Sequence, residues 1–126
     1  VAAVADLSAV LGRPLPVLAL GDALAAASAA AGLPFVREAF LDRGYLPSGD
    51  LVLRGEPGDL LHDPAEVARR AVRLVDERRV AAVDGTTVTT DAASLCLHGD
   101  TPEAVDMARA VRAALSSAGI AVRADW

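Results

Sequence analysis

Residues 15–37 run Leu15-Pro16-Val17-Leu18-Ala19-Leu20-Gly21, then a tract over 22–31 that is almost all alanine, then Gly32-Leu33-Pro34-Phe35-Val36-Arg37. The short apolar run at 17–20, ended by a glycine, reads as a buried strand. The alanine tract has Asp22 at its start and Gly32 past its end, and reads as a helix. Residues 34–37 read as a second strand. Upstream, Val4, Leu7 and Leu11 fall at i, i+3 and i+7, a helical stripe that Gly12 stops. The order helix–strand–helix–strand is the rhythm of a parallel α/β fold.

Downstream, residues 38–62 break the rhythm. Turn formers recur at Gly44, Pro47-Ser48-Gly49-Asp50 and Pro57-Gly58, with Leu51-Val52-Leu53 as a short edge strand between them. A loop of this length inside a compact domain is usually functional or mobile. Asp63-Pro64-Ala65-Glu66 is a helix start, with Asp as N-cap and Pro at the first position. The helix runs to about Arg79, with Val67, Ala71, Leu74 and Val75 on its apolar face. Arg69, Arg70, Arg73, Asp76, Glu77 and Arg78 read as its solvated side. Residues 80–83, Asp84-Gly85 and 86–90 predict a β-hairpin with a type I′ turn. Residues 93–97 read as a third buried strand ending in His98-Gly99-Asp100. Thr101-Pro102-Glu103 predicts the cap of a last helix with a stripe of Val105, Ala108, Val111 and Leu115, stopped by Gly119. Residues 120–122 form a final strand or the start of a tail. No internal repeat or low-complexity linker divides the chain, so residues 1–126 are one domain or one piece of a domain.

The composition narrows the function. The 126 residues carry 12 Lys+Arg against 17 Asp+Glu, a formal charge of −5, with 53% hydrophobic but only 3% aromatic residues. One domain with a core fits that length, but a closed (β/α)₈ barrel needs roughly 200–250 residues. No apolar run reaches the ~18–20 residues of a membrane span, since Pro16, Gly21, Asp22 and Gly32 interrupt the longest candidate. No secretory signal is visible, and the chain opens on Val1 inside a helix, which suggests a fragment. All basic side chains are Arg, so neither a Schiff-base lysine nor a P-loop lysine is available. The single cysteine, Cys96, excludes an internal disulfide and a Cys-cluster zinc site, and fits a reducing, cytoplasmic setting. The acidic balance argues against a nucleic-acid partner.

Ligands of parallel α/β folds sit at the carboxyl ends of the strands. Two strand ends carry dense polar groups. At the second of them, His98 follows an apolar strand directly and suits general acid/base work or orientation of a carbonyl. Asp100 is placed to orient its ring or bind a cation; alternatively Asp100 and Thr101 serve the helix N-terminus. At the first, Arg37, Glu38, Asp42 and Arg43 form either an anion-binding cluster or a surface ion-pair group. By their own pattern Tyr45 is packing, His62 a solvated loop residue and Cys96 an inert core residue. The glycines follow no phosphate-binding pattern.

These clusters carry a resemblance. Arg37-Glu38-Ala39-Phe40-Leu41-Asp42-Arg43-Gly44-Tyr45-Leu46-Pro47, then Gly49, Leu51-Val52-Leu53-Arg54 and Glu56-Pro57-Gly58, resembles a "REAFADRRY…DG.LVPRSEPGA" stretch of the LamB/YcsF family. Residues 95–102, Leu95-Cys96-Leu97-His98-Gly99-Asp100-Thr101-Pro102, resemble the family's "ICVHGDTP" element. The resemblance covers essentially the whole chain but only the C-terminal half of the family, whose N-terminal motifs have no counterpart here. Gly55 stands where the family usually has Ser. The resemblance implies half of a (β/α) barrel of the sugar-deacetylase-like type, with the hairpin as an insertion. It implies ATP-dependent opening of 5-oxoproline to glutamate, with ADP and phosphate as the other products. ATP enters as co-substrate with Mg, and no tightly bound cofactor is evident. Partners would be 5-oxoprolinase subunits B and C and the missing N-terminal half, in cis or in trans; a homo-oligomer is also open. The catalytic candidates are His98, Asp100, Glu38 and Asp42, and the substrate- or phosphate-binding candidates are Arg37, Arg43 and Tyr45. No metal ligand set is assigned. Two other readings stand beside this one: a non-catalytic scaffold that recruits a partner, and a metal-dependent carbohydrate deacetylase-like hydrolase by fold analogy.

Overall fold

Helix α1 (Ala2–Leu11) ends where Gly12 turns left-handed, at φ 66°, and closes the last turn with its N–H on Ala9 O. Strand β1 (Val17–Ala19) and helix α2 (Asp22–Ala30) follow as the alanine tract requires. Strand β2 spans Phe35–Phe40, so Arg37 and Glu38 lie within the strand and not at its end. The structure, a computed structural model, describes residues 1–124.

Helix α3 (Pro64–Glu77) starts on Asp63, whose carboxylate accepts the Ala65 N–H at 2.9 Å. Its buried face is Val67, Ala68, Ala71 and Leu74; Val75 is turned outward. Arg78, at φ 55°, reverses the chain into β3 (Arg79–Ala81), which pairs antiparallel with β4 (Thr87–Thr89). The hairpin is present, but its turn is not type I′. Asp84 keeps a negative φ and Gly85 alone is positive, at 85°. Gly85 N–H closes on Ala82 O and Ala82 N–H on Thr86 O, which is a three-residue loop ending in a glycine bulge.

Strand β5 (Ser94–Cys96) and helix α4 (Ala104–Ser117) complete the chain. Thr101 does not cap α4, which begins on Glu103 without a side-chain cap. Met107, Val111 and Leu115 form the buried stripe of α4, while Val105 and Ala108 face solvent. The stripe shifts because α4 lies on α3, and the contact between them sets its rotation. Residues 51–53 are not a strand: Leu51 makes an isolated bridge with Tyr45, and Leu60 makes one with Arg43. Residues 121–124 form no strand either. Leu7 and Leu11 of the α1 stripe are half exposed. No helix among the described residues is long and apolar enough to cross a membrane.

The strands order as β1-β2-β5, all parallel, with Val17 opposite Phe35, Glu38 opposite Ser94 and Phe40 opposite Cys96. Successive side chains of a strand alternate between faces. Ala39, Leu41, Leu95 and Leu97 join the core formed with α3 and α4. Glu38, Phe40, Ser94, Cys96 and His98 therefore occupy the opposite face.

Candidate functional site

The face away from α3 and α4 is a ladder of three rungs. Glu38 and Ser94 share the first, with the Ser94 hydroxyl 3.4 Å from the Glu38 carboxylate. Phe40 and Cys96 share the second. Asp42 and His98 lie just past the strands' carboxyl ends and share the third. Asp42 is wholly buried, and it accepts twice from His98. The backbone N–H of His98 reaches Oδ2 at 3.1 Å, and the ring Nδ1 lies 2.8 Å from Oδ1. The edge of Phe40 meets the ring at 5.0 Å between centroids and 85° between planes. A carboxylate can only accept, so Nδ1 carries the proton and Nε2 is left as the acceptor. The imidazole is fixed in tautomer and orientation, with a buried negative charge behind it. That leaves the Nε2 lone pair free to face a reacting group, the geometric requirement for a general base.

The other expected residues fall elsewhere. Asp100 does not orient His98; it is exposed and lies 3.6 Å from the Arg54 guanidinium. Asp42, far away in sequence, takes that role. Glu38 lies on the same face but about 13 Å deeper along the strand than Asp42, at ~3.3 Å per residue. It is therefore not in contact with His98. Arg37 points to the helix side, where its guanidinium binds Leu20 O at 2.6 Å, Asp22 at 2.8 Å and Asp91. It fastens the strand-end loops and is not open to an anion. Arg43 is buried, with Nε on Asp59 O at 3.0 Å and Nη2 on Val52 O at 2.7 Å. This guanidinium staples the 51–59 loop. Tyr45 is buried, and its hydroxyl accepts the Phe40 N–H at 2.7 Å. Burial pushes its phenol above the usual range. Tyr45 is thus a packing residue that braces the end of β2.

Four features are missed in the local pattern. Arg70 is not on a solvated face: it caps Leu41 O at 3.3 Å, also binds Arg43 O, and lies over the Tyr45 ring. Burial lowers its pKa. The signal was its place between Val67 and Leu74, at the spacing of the buried stripe. Arg54 pairs with Asp100, two residues past His98 in the chain. Cys96 is half-buried on the ladder, not in the core, and burial together with Glu38 and Asp42 holds its thiol above the usual range. The Thr101 hydroxyl, just past His98, is buried without a hydrogen-bond partner among the described residues.

The sequence profile of the LamB/YcsF family matches residues 1–125. The chain belongs to the LamB/YcsF family. A protein of Streptomyces griseus, named as the A subunit of 5-oxoprolinase, is 54% identical over 116 residues, covering 92% of this chain and 44% of that one. Its namesake in Mycobacterium leprae is 48% identical over 124 residues, covering 98% and 49%. A crystal structure of a lactam utilization protein from Thermus thermophilus superposes with a TM-score of 0.87 at 44% identity, covering 97% of this chain and 49% of that one. The chain spans about half the length of these relatives. It shares with the solved structure this α/β arrangement of parallel strands and helices.

Proposed function

We propose that this chain forms part of the A subunit of a 5-oxoprolinase, in which 5-oxoproline is hydrolysed to glutamate with ATP hydrolysed to ADP and phosphate. The naming of its relatives supports the substrate class, and the Asp42–His98 pair at the strand ends carries the chemistry. A lactam carbonyl is a poor electrophile, and a base that removes a proton from water as the bond forms assists the attack, whose driving force comes from ATP hydrolysis. His98 Nε2 supplies that base, and Asp42 stabilises the imidazolium that results. The same nitrogen then returns the proton to the leaving amine. Arg54, beside Asp100, offers a guanidinium for the substrate carboxylate.

The described residues do not fit a nucleotide site. They include no glycine-rich phosphate loop and no cluster of three metal-donating side chains, and the chain has no lysine. ATP, with Mg, is then handled by other parts of the assembly. The partners are 5-oxoprolinase subunits B and C and the other half of the barrel. The three parallel strands β1-β2-β5, with α3 and α4 packed on one face, support reading the chain as part of a (β/α) barrel.

The experiment is 5-oxoproline-dependent phosphate release by the full-length protein together with its partner subunits, comparing His98→Ala and Asp42→Ala with the parent. Both variants lose activity if the pair is the base. Parent-like rates in folded variants sink the assignment. A second reading, a scaffold that recruits a partner, is favoured by the exposed leucines and valine of α1.

A further inference from the structure

Helix α3 and strand β3 flank a groove of about 280 Å³, lined by Glu66, Arg69, Arg70, Arg73, Arg79 and Ala81 among others. Four guanidiniums face one carboxylate there, in a chain whose formal charge is −5. Arg70 is committed to backbone carbonyls. Arg69 has only a loose exposed contact with Asp63 at 3.8 Å, and Arg73 one with Glu77 at 3.4 Å. Such exposed pairs contribute little and exchange readily for a better carboxylate. Arg79 has no carboxylate partner among the described residues.

The wall of the groove is a short open strand edge at Arg79 and Ala81, ended where the Val83 N–H donates to Tyr45 O at 2.9 Å. Thr90 N–H donates to Arg78 O and Ala82 N–H to Thr86 O, and Val80 stands opposite Val88. The main-chain groups of Arg78, Val80 and Ala82 therefore face β4. In an antiparallel ladder those of Arg79 and Ala81 face the other way, into the groove. They have no backbone partner among the described residues. A row of free N–H and C=O groups accepts an added strand.

From these two features we infer that the groove is a docking site for an extended acidic segment of a partner protein. The segment adds antiparallel or parallel to β3 through Arg79 and Ala81. Its carboxylates meet Arg69, Arg73 and Arg79, for which guanidinium forks are suited. The hydrogen-bonding edge favours a peptide over a free anion, which would use the charges and leave the edge unpaired. The groove shares no lining residue with the Asp42–His98 pair, and the inference uses none of that pair's chemistry, so it stands independently of the proposed function.

The test is fluorescence anisotropy of a labelled Glu-Val-Glu-Val-Glu peptide with the full chain. Arg73→Glu and Arg79→Glu are each expected to weaken binding by about tenfold or more, and salt to weaken it further. A peptide N-methylated along one edge is expected to bind at least about tenfold more weakly than its parent. Binding of both peptides equally overturns the strand addition. Tripolyphosphate displacing the peptide from the parent while the N-methylated form binds as well marks a free-anion site and also overturns it. No binding by the parent chain, as when the groove is filled by another part of the same polypeptide, overturns it too. Circular dichroism of each variant separates loss of the groove from loss of the fold.

Discussion

At the scale of single residues, the Asp42–His98 contact decides most. Asp42→Asn keeps the shape but replaces one acceptor with a donor, so the ring loses its fixed tautomer. Phosphate release should fall by about 10²–10⁴-fold, in the range for a disabled general base. A rate within a few-fold of the parent, with the fold intact, removes the base assignment. Cys96 gives a second reading of the same carboxylate. Burial, Glu38 and Asp42 all raise its thiol. Its alkylation by iodoacetamide should therefore reach half-maximal rate at a pH above that of a free thiol, and Asp42→Asn should move that midpoint down. A midpoint at or below the ordinary thiol value contradicts the placement of Cys96 on the charged ladder. His98 is legible in the sequence because it follows an apolar strand directly. Its partner is not, because the contact joins positions separated by 56 residues. The local pattern offered Asp100 instead, and that residue turns away to Arg54.

At the scale of elements, the caps and stops are legible and the faces are less so. Asp63 and Gly12 act on their own neighbours, so their roles follow from local chemistry. Asp63→Ala should cost about 1 kcal/mol of stability in denaturant unfolding. Which face of α3 or α4 is buried depends on what lies against it, and the stripes shift accordingly: Met107 replaces Val105 and Ala108, and Arg70 joins the inner side of α3. The 41–62 loop is held by distant partners that no spacing reveals. Gly44 is central to it, since a Cβ there would collide with the carbonyl oxygen of Gly58 and lie 3.1 Å from Val52 Cγ2. Backbone cannot step aside as a side chain can, so Gly44→Ala should destabilise by about 2–3 kcal/mol and lower Tm by several degrees. An unchanged Tm would mean that the loop is not packed on Gly44 as described. The hairpin turn has its own pH signature. Asp84 accepts from both the hydroxyl and the N–H of Thr86, which hold its carboxyl below the usual range. A depressed carboxyl stabilises above its unfolded pKa, so this contribution is present at neutral pH and is lost only as pH falls through the folded value. The protection of the hairpin amides against hydrogen exchange, relative to their intrinsic rates at each pH, should fall there in the parent and not in Asp84→Ala.

At the scale of the whole molecule, the open surfaces are the sheet edges, one sheet face and the outer sides of α1 and α2. Strands β1 and β5 each pair only with β2, so the sheet has two free edges among the described residues. The ladder face of Glu38, Phe40 and Cys96 is only partly covered. On α1, Val10 is 81% exposed, with Leu7 and Leu11 half exposed, and on α2 Leu24 is 44% exposed. Apolar groups on a helix gain about 25 cal/mol per Å² when covered, and free edges pair with any edge that meets them. The 126-residue polypeptide by itself should therefore associate, with a sedimentation coefficient that rises with concentration. Replacing Val10 and Leu11 by Glu puts charge on the exposed stripe without touching the core, and should shift the distribution toward monomer while the circular dichroism spectrum stays the same. Size exclusion then separates two arrangements. Association that these substitutions abolish places the contact on α1; association that survives them leaves the sheet edges as the contact. A cooperative, concentration-independent monomer from the parent chain would show that the open face is stable in water, and would remove the physical ground for reading the sheet as half of a larger barrel.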